Sequence, residues 1–261
     1  MLKKLFYFLL YTSICVIGSA QEKPDSNFHL YLLAGQSNMA GRGIITEQFA
    51  QAGNPNILML NKTNQWVPAK HPLHFDKPAV IGVGPGLGFA IEMLRPGIRI
   101  GLIPCAVGGS SINAWRPGAY DSSTKTHPYD DAISRLSVAM KDGVVKGVIW
   151  HQGESDSDPD SAKVYLPKLL ALIQAWRDVT HQPELPFVAG ELGRYREVYG
   201  NINRVIATLP RQVPFTAVVS SKGLKEKGDR THFDAVSENE FGKRYARQMK
   251  RLQQQLRKSV K

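Results

Sequence analysis

The chain has 261 residues, of which 43% are hydrophobic and 21% charged, with a formal net charge of +11. That length and apolar content exclude a disordered tail and allow a sizeable core in one α/β domain. The positive balance alone does not select nucleic acid as a partner, because its C-terminal part, KRYARQMKRLQQQLRKSVK, lacks interleaved stacking aromatics and suits the solvated end of a helix.

Residues 1–20 form a separate element. Lys3 and Lys4, an apolar run, and the small residues Gly18, Ser19 and Ala20 have the three-part layout of a secretory signal peptide. A membrane anchor is the competing reading, but Thr12, Ser13 and Gly18 interrupt a run already short for a span. Cys15 would fit a lipid attachment only with a small residue before it, and Ile14 stands there. Export to a periplasm or the exterior is therefore expected, followed by a single domain over residues 21–261. Without Cys15 only Cys105 remains, so no internal disulfide is expected.

The first predicted strand, LYLLA (30–34), ends abruptly in GQSNMAGRG, a polar, glycine-flanked serine turn around Ser37. Further buried strands are predicted at 98–107, 146–152, 186–192 and 214–221, all apolar and rich in β-branched residues. Helical periodicity occupies 86–94, 130–140, 161–180 and 197–209, with Pro167 expected to kink or shorten the third. The last helix is expected to begin near Ser237, where SENE reads as a capping box with Glu240. This alternation predicts a three-layer α/β/α sandwich around a mainly parallel, five-stranded sheet.

Ligands in such sheets bind beyond the carboxyl ends of the strands. Four polar clusters fall there: the Ser37 turn, GGSS, HQGESD and KGDRTHFD. A serine hydroxyl becomes a useful nucleophile only beside an imidazole, which in turn needs an acceptor to fix its tautomer. Asp229 and His232, three residues apart, are the candidates. The backbone N–H of Ser37, an N–H of the Gly108–Gly109 turn and the side-chain amide of Gln152 are candidate donors to an oxyanion. Taken singly, each residue has a plainer role: Ser37 as a helix cap, His232 as a packing residue, Asp229 in a Gly-Asp turn.

A metal centre is a rival reading of HQGE and of Asp156, Asp158 and Asp160. Cys105 cannot make the cysteine pair of a zinc deaminase, and DSDPDSAKVYL lacks the spacing of an EF-hand. Those carboxylates suit a helix N-terminus, and no metal or other cofactor is expected.

GQSNMAGRG, PCAVGGSSINAW, WHQGESD and GDRTHFD, in this order, resemble the sequence blocks of the SGNH hydrolase superfamily. The similarity is to its branch of sialate O-acetylesterases and of the acetylxylan esterases of carbohydrate esterase family six. It runs from about Leu30 to Tyr245. The resemblance implies metal-independent ester hydrolysis, with Ser37 as nucleophile, His232 as general base and then acid, and Asp229 as its orienting partner. It matches Gly108 best to the oxyanion glycine, with Gly109 the alternative, and places Gln152 where the wider superfamily has asparagine. Gln36 and Glu154 become candidates for supporting the site, and Trp115 and Arg116 for a sugar-binding rim, although a tryptophan at such a position is often core.

The expected activity is removal of O-acetyl groups from a polysaccharide or glycan. GVGPGLGFA, HPYDDAI and FGKRYA resemble the acetylxylan side more closely. Sialate O-acetylesterase is the alternative, and a lipid esterase, a thioesterase or a carbohydrate-binding protein without catalysis are the other readings.

Overall fold

The computed structural model describes residues 23–51 and 53–259. The expected leader, residues 1–20, lies outside them. In chain order the elements begin with β1 (Asp25–Gly35), two short helices α1 (Ser37–Ala40) and α2 (Glu47–Ala50), and the strands β2 (Ile57–Leu60) and β3 (Trp66–Pro68). Next come α3 (Pro85–Met93), β4 (Arg99–Pro104), α4 (Pro128–Ala139), β5 (Gly143–His151), α5 (Pro159–Lys163) and α6 (Tyr165–Thr180). The chain continues through β6 (Phe187–Gly190), α7 (Tyr199–Ile206), α8 (Leu209–Gln212), β7 (Thr216–Val219) and α9 (Ala235–Ser259).

The sheet has seven strands in the order β3-β2-β4-β1-β5-β6-β7, not five. Every pairing is parallel except that of β2 with β3. The two unforeseen strands are a short edge hairpin, too brief for its alternation to stand out. β1 lies at the centre, with β4 on one side and β5 on the other, and the sheet changes its direction of growth there. That is the switch point at which open α/β sheets bind ligands.

β1 also separates the two cores. Phe28, Leu30, Leu32 and Ala34 pack into one apolar cluster with α4, α6 and α7, while Tyr31 and Leu33 join a second with α3 and α9. A strand whose alternate side chains are all buried requires helices on both faces, so the expected three-layer sandwich is what forms. Trp115, Trp150 and Trp176 meet edge to face in the first core, with ring centroids 5.0 to 6.2 Å apart.

Two helix boundaries depart from expectation. The run 161–180 breaks at Val164, which leaves Pro167 in the first turn of α6, where a missing N–H does no harm. α9 starts at Ala235 rather than near Ser237. Asp234 is the residue that caps it, accepting the Ser237 N–H at 2.7 Å, while Ser237 Oγ accepts the Lys225 N–H at 2.8 Å. Three basic residues of α9 find carboxylates nearby: Arg244 and Arg247 share Glu240, and Lys250 reaches Glu92 of α3. Among the described residues, no helix is long and apolar enough to cross a membrane.

One carboxyl in α9 opposes the rest of the packing. Glu238 is fully buried, and neither oxygen has a hydrogen-bond partner among the described residues. Burial, with the charges of Glu154 and Asp234, raises its pKa well above the usual carboxylate value, against the opposing pull of Arg42. In the unfolded chain the group ionises above about pH 4.3, so the folded form binds the extra proton and stability falls as pH rises through this window. Glu238→Gln removes that dependence. Thermal melts should show the variant equal to wild type near pH 4 and more stable at pH 8, each kcal/mol appearing as roughly 2–4 °C in Tm.

Candidate active site

Ser37 opens α1 immediately beyond β1, with its preceding residue, Gln36, in a non-helical conformation that turns the chain out of the sheet. The side chain is mostly buried, yet its hydroxyl meets a ring from the far end of the sequence. His232 Nε2 lies 3.0 Å from Ser37 Oγ, and His232 Nδ1 lies 2.7 Å from Asp229 Oδ2. The three candidates are thus brought into one chain of hydrogen bonds.

The loop bearing His232 is folded on itself by two carboxylates. Asp229 Oδ1 accepts the N–H groups of Thr231 and His232 at 3.0 and 2.8 Å, and Glu226 Oε2 accepts those of Gly228 and Arg230 at 2.6 and 2.8 Å. Partial burial acts to raise the Asp229 pKa. The hydrogen bonds from the backbone and ring of His232 and from the Thr231 N–H outweigh it, and hold this carboxyl well below its ordinary value. Asp229 is therefore ionised wherever the protein is folded near neutrality, as an orienting acceptor must be.

Asn38, which the sequence did not single out, joins this loop to the serine turn. Its Nδ2 donates to the Thr231 carbonyl at 3.1 Å and its Oδ1 accepts the Phe233 N–H at 3.1 Å, so the peptide groups on either side of His232 are both held. The same Nδ2 donates to Glu154 Oε1 at 2.6 Å. Glu154 thus supports the site through Asn38. Its Oε1 also lies 3.7 Å from Nδ1 of His151, whose other nitrogen, Nε2, faces the Glu191 carbonyl. An asparagine next to the serine was the available signal, but nothing in its neighbours names a partner more than 190 residues away.

The expected oxyanion donors separate into two groups. The N–H of Ser37 and that of Gly109 have no protein acceptor among the described residues. Gly109 is exposed and has φ +88, a conformation that favours glycine. The Gly108 N–H is engaged: it donates to Asp76 Oδ2 at 2.8 Å, and the same oxygen accepts Arg42 Nη2 at 2.9 Å. A Cβ at Gly108 would overlap both side chains. Gly108 therefore anchors the turn and Gly109 presents the open donor. Arg42 and Asp76, a buried pair, were not foreseen, because Asp76 sits in a stretch without periodicity or motif.

Gln152 does not point its amide at the serine. Its Nε2 donates to Gln36 Oε1, the Ser110 carbonyl and Asp156 Oδ2 at 3.1, 3.1 and 2.5 Å, and the residue is buried. It fastens the β5 end to Gln36 and to the GGSS turn instead of donating to an oxyanion. Gln36 Oε1 further accepts the Gly153 N–H at 3.3 Å. Asp156 extends the fastening by accepting Ser111 Oγ and the Ile112 N–H, while Asp158 caps α5. Trp115 is not on a rim: it is 2% exposed, packs on two tryptophans and donates to Ser110 Oγ at 3.1 Å. Arg116, just beyond, is exposed.

A mainly parallel α/β sandwich whose strand-end serine, histidine and aspartate are aligned by hydrogen bonds defines the SGNH-type class of esterase folds. Within that class, the chain belongs to the family described as carbohydrate esterase, sialic acid-specific acetylesterase, whose model matches residues 27–251. It is 31% identical to the probable carbohydrate esterase At4g34215 of Arabidopsis thaliana over 259 residues, covering 87% of this chain and 94% of the relative. The crystal structure of that plant protein superposes with a TM-score of 0.77 at 30% identity, over 87% of this chain and 98% of that one. The fold is also that of NanS, with TM-score 0.72 at 18% identity over 90% and 99% of the two chains. XAC1771, a carbohydrate acetylesterase from Xanthomonas citri, superposes with TM-score 0.68 at 21% identity over 85% of this chain and 56% of its own.

Proposed function

We propose that this chain is an exported serine esterase that removes O-acetyl groups from a carbohydrate. The observation that carries the reading is the position of His232, 3.0 Å from Ser37 Oγ and 2.7 Å from the Asp229 carboxylate. In the first step Ser37 Oγ attacks the acetyl carbonyl as its proton passes to His232 Nε2. Negative charge on the former carbonyl oxygen is met by the N–H groups of Ser37 and Gly109. The proton on Nε2 then goes to the sugar oxygen as the ester bond breaks, leaving acetyl-Ser37. Water attacks the acetyl group, gives its proton to His232, and acetate leaves as Ser37 regains a proton.

Acetylated xylan is the substrate that the 82–90, 127–133 and 241–246 stretches favour, and acetylated sialate is the second reading, supported by the family description. A binding protein without catalysis would have no use for a base aligned on a buried hydroxyl. The deciding experiment is acetate release by the purified mature chain from acetylated xylan and from O-acetylated sialic acid, each with and without EDTA. Release from either that survives EDTA supports the esterase; acetate from neither, with the protein folded, overturns it.

Asn38 gives a second prediction. Asn38→Ala frees the peptide groups flanking His232 and leaves Glu154 without its donor. Displacement of a catalytic group by about 1 Å costs on the order of 10²-fold. A fall of that size in kcat is expected, with KM changed by less than about threefold, because Asn38 acts through His232 and does not touch the sugar. Steady-state kinetics on a small acetyl ester reads both constants.

A further inference from the structure

A cavity of about 410 Å³ opens at Val107, one residue before the Gly108–Gly109 turn, and has no part in the chemistry above. It lies between the β2–β3 turn, the 74–77 segment and the start of α4, and Ser37 is not in its lining. Phe75, Ala106 and Val107 give it apolar surface, while Asn64, Thr124 and Thr126 give it hydrogen-bonding groups. Apolar ring faces edged by hydroxyls are what a pyranose presents, and a pocket of this mixture and size suits one such unit.

Its charges are unequal in availability. Of the acids, Asp76 is engaged by Arg42 and the Gly108 N–H, whereas Asp131, at the start of α4, receives only the His127 N–H at 3.3 Å among the described residues and adds a carboxylate to the lining. Arg135 is buried, and its guanidinium donates to the carbonyls of Leu60, Asn61 and Pro104 and to Asn64 Oδ1, which leaves Asn64 only its amide N–H groups for a ligand. His74 lies behind the wall with both ring nitrogens buried, and burial lowers its pKa to about 4, so it adds no charge. Lys62 and Lys77 remain. Lysines pair with carboxylates at Lys163, Lys227 and Lys250 among the described residues, but not at these two positions. Lys77 Nζ stands 3.7 Å from where a Cβ of Gly109 would be, at the junction of the cavity and the open oxyanion donor.

We infer that this cavity is a sugar subsite selecting glycans that carry a carboxylate close to the acetyl ester, with Lys77 and Lys62 as its anion-binding cations. The assignment rests on the esterase reading: Val107 of the cavity wall and Lys77 both adjoin the Gly108–Gly109 turn, so a ring lying on that side of an acetyl group held at Ser37 and Gly109 enters the cavity. An anion there meets two cations without a carboxylate partner against one carboxylate, Asp131, whereas a neutral sugar gains only the polar and apolar walls. Carboxylates reach such a site from two sources, a uronic acid branch of a plant polysaccharide or a sialic acid.

The test uses the full mature chain carrying Ser37→Ala, so that binding is read without turnover. Calorimetry at low salt compares N-acetylneuraminate, a xylotriose bearing one glucuronic acid, and unsubstituted xylotriose. At least one acidic sugar is expected to bind about tenfold more tightly than the neutral one, an advantage weakened by salt and lost when Lys62→Gln and Lys77→Gln are added. Which acidic sugar gains identifies the source. Equal affinity for neutral and acidic sugars, or an advantage that survives both substitutions, overturns the subsite. Both lysines are exposed, so thermal melts of the variants should match the parent and keep the comparison clean. Hydrolysis of 4-nitrophenyl acetate by the unsubstituted chain separates the two readings. Its absence beside intact carboxylate selection would sink the esterase and leave the subsite, and its presence without selection would do the reverse.

Discussion

Replacing Ser37 with alanine is expected to lower kcat on any acetyl ester by about 10⁴- to 10⁶-fold, the range seen when a nucleophile that works as a unit with its base is removed. The structure gives reasons to expect that loss without unfolding. Ser37 Oγ has one side-chain partner, His232 Nε2, and the residue begins a helix in which alanine is a good former. His232 keeps its bond to Asp229 and the Asn38 hold on its flanking peptides, so the loop stays in place. Circular dichroism should be that of wild type and Tm close to it, since the substitution removes one hydrogen bond, worth about 1 kcal/mol. A variant that keeps more than a hundredth of the wild-type kcat would remove Ser37 from the mechanism, since neither the Gly109 donor nor binding alone could sustain that rate in its absence.

The parts of this protein that the sequence made legible are those in which a residue's type and neighbours decide its place. β1 reads as buried on both faces because Leu30 to Ala34 leave no charged alternate. Ser37, Asp229 and His232 stand at strand ends or in the loop before α9, where packing has no use for such side chains. What stayed hidden depends on direction and on distant partners. Gln152 is the right type for an oxyanion donor, but its amide direction is decided by Gln36, Ser110 and Asp156, three groups on other segments. Gly108 and Gly109 are told apart by Asp76, which takes one N–H and leaves the other free. Trp115 closes a polar block and so resembles a rim residue, yet its ring fills a gap between Trp150 and Trp176. At the start of α9 the cap is Asp234, three residues before Ser237, whose hydroxyl instead accepts the Lys225 N–H. The β2–β3 hairpin escaped because four residues and three residues carry too little periodicity to be seen.

Asp229→Asn should cost nearly as much as loss of the nucleophile, about 10⁴-fold in kcat, through the position of a single proton. In the wild-type chain Asp229 Oδ2 can only accept, so the His232 proton sits on Nδ1 and the lone pair of Nε2 faces Ser37 Oγ. An asparagine can retain its carbonyl oxygen where Oδ1 now accepts the N–H groups of Thr231 and His232, which preserves the turn. Its amide nitrogen then takes the place of Oδ2 and donates to Nδ1. The ring proton must move to Nε2, and the imidazole can no longer take a proton from Ser37. Asp229→Ala removes the acceptor of both backbone N–H groups as well, and these groups lie at the exposed surface where water replaces it in part. Comparable losses of kcat in the two variants, with a lower Tm for alanine alone, would separate the tautomer role from the turn role. If Asp229→Asn stayed within tenfold of wild type, His232 would hold its tautomer without Asp229, and the carboxylate would be left with the loop as its only task.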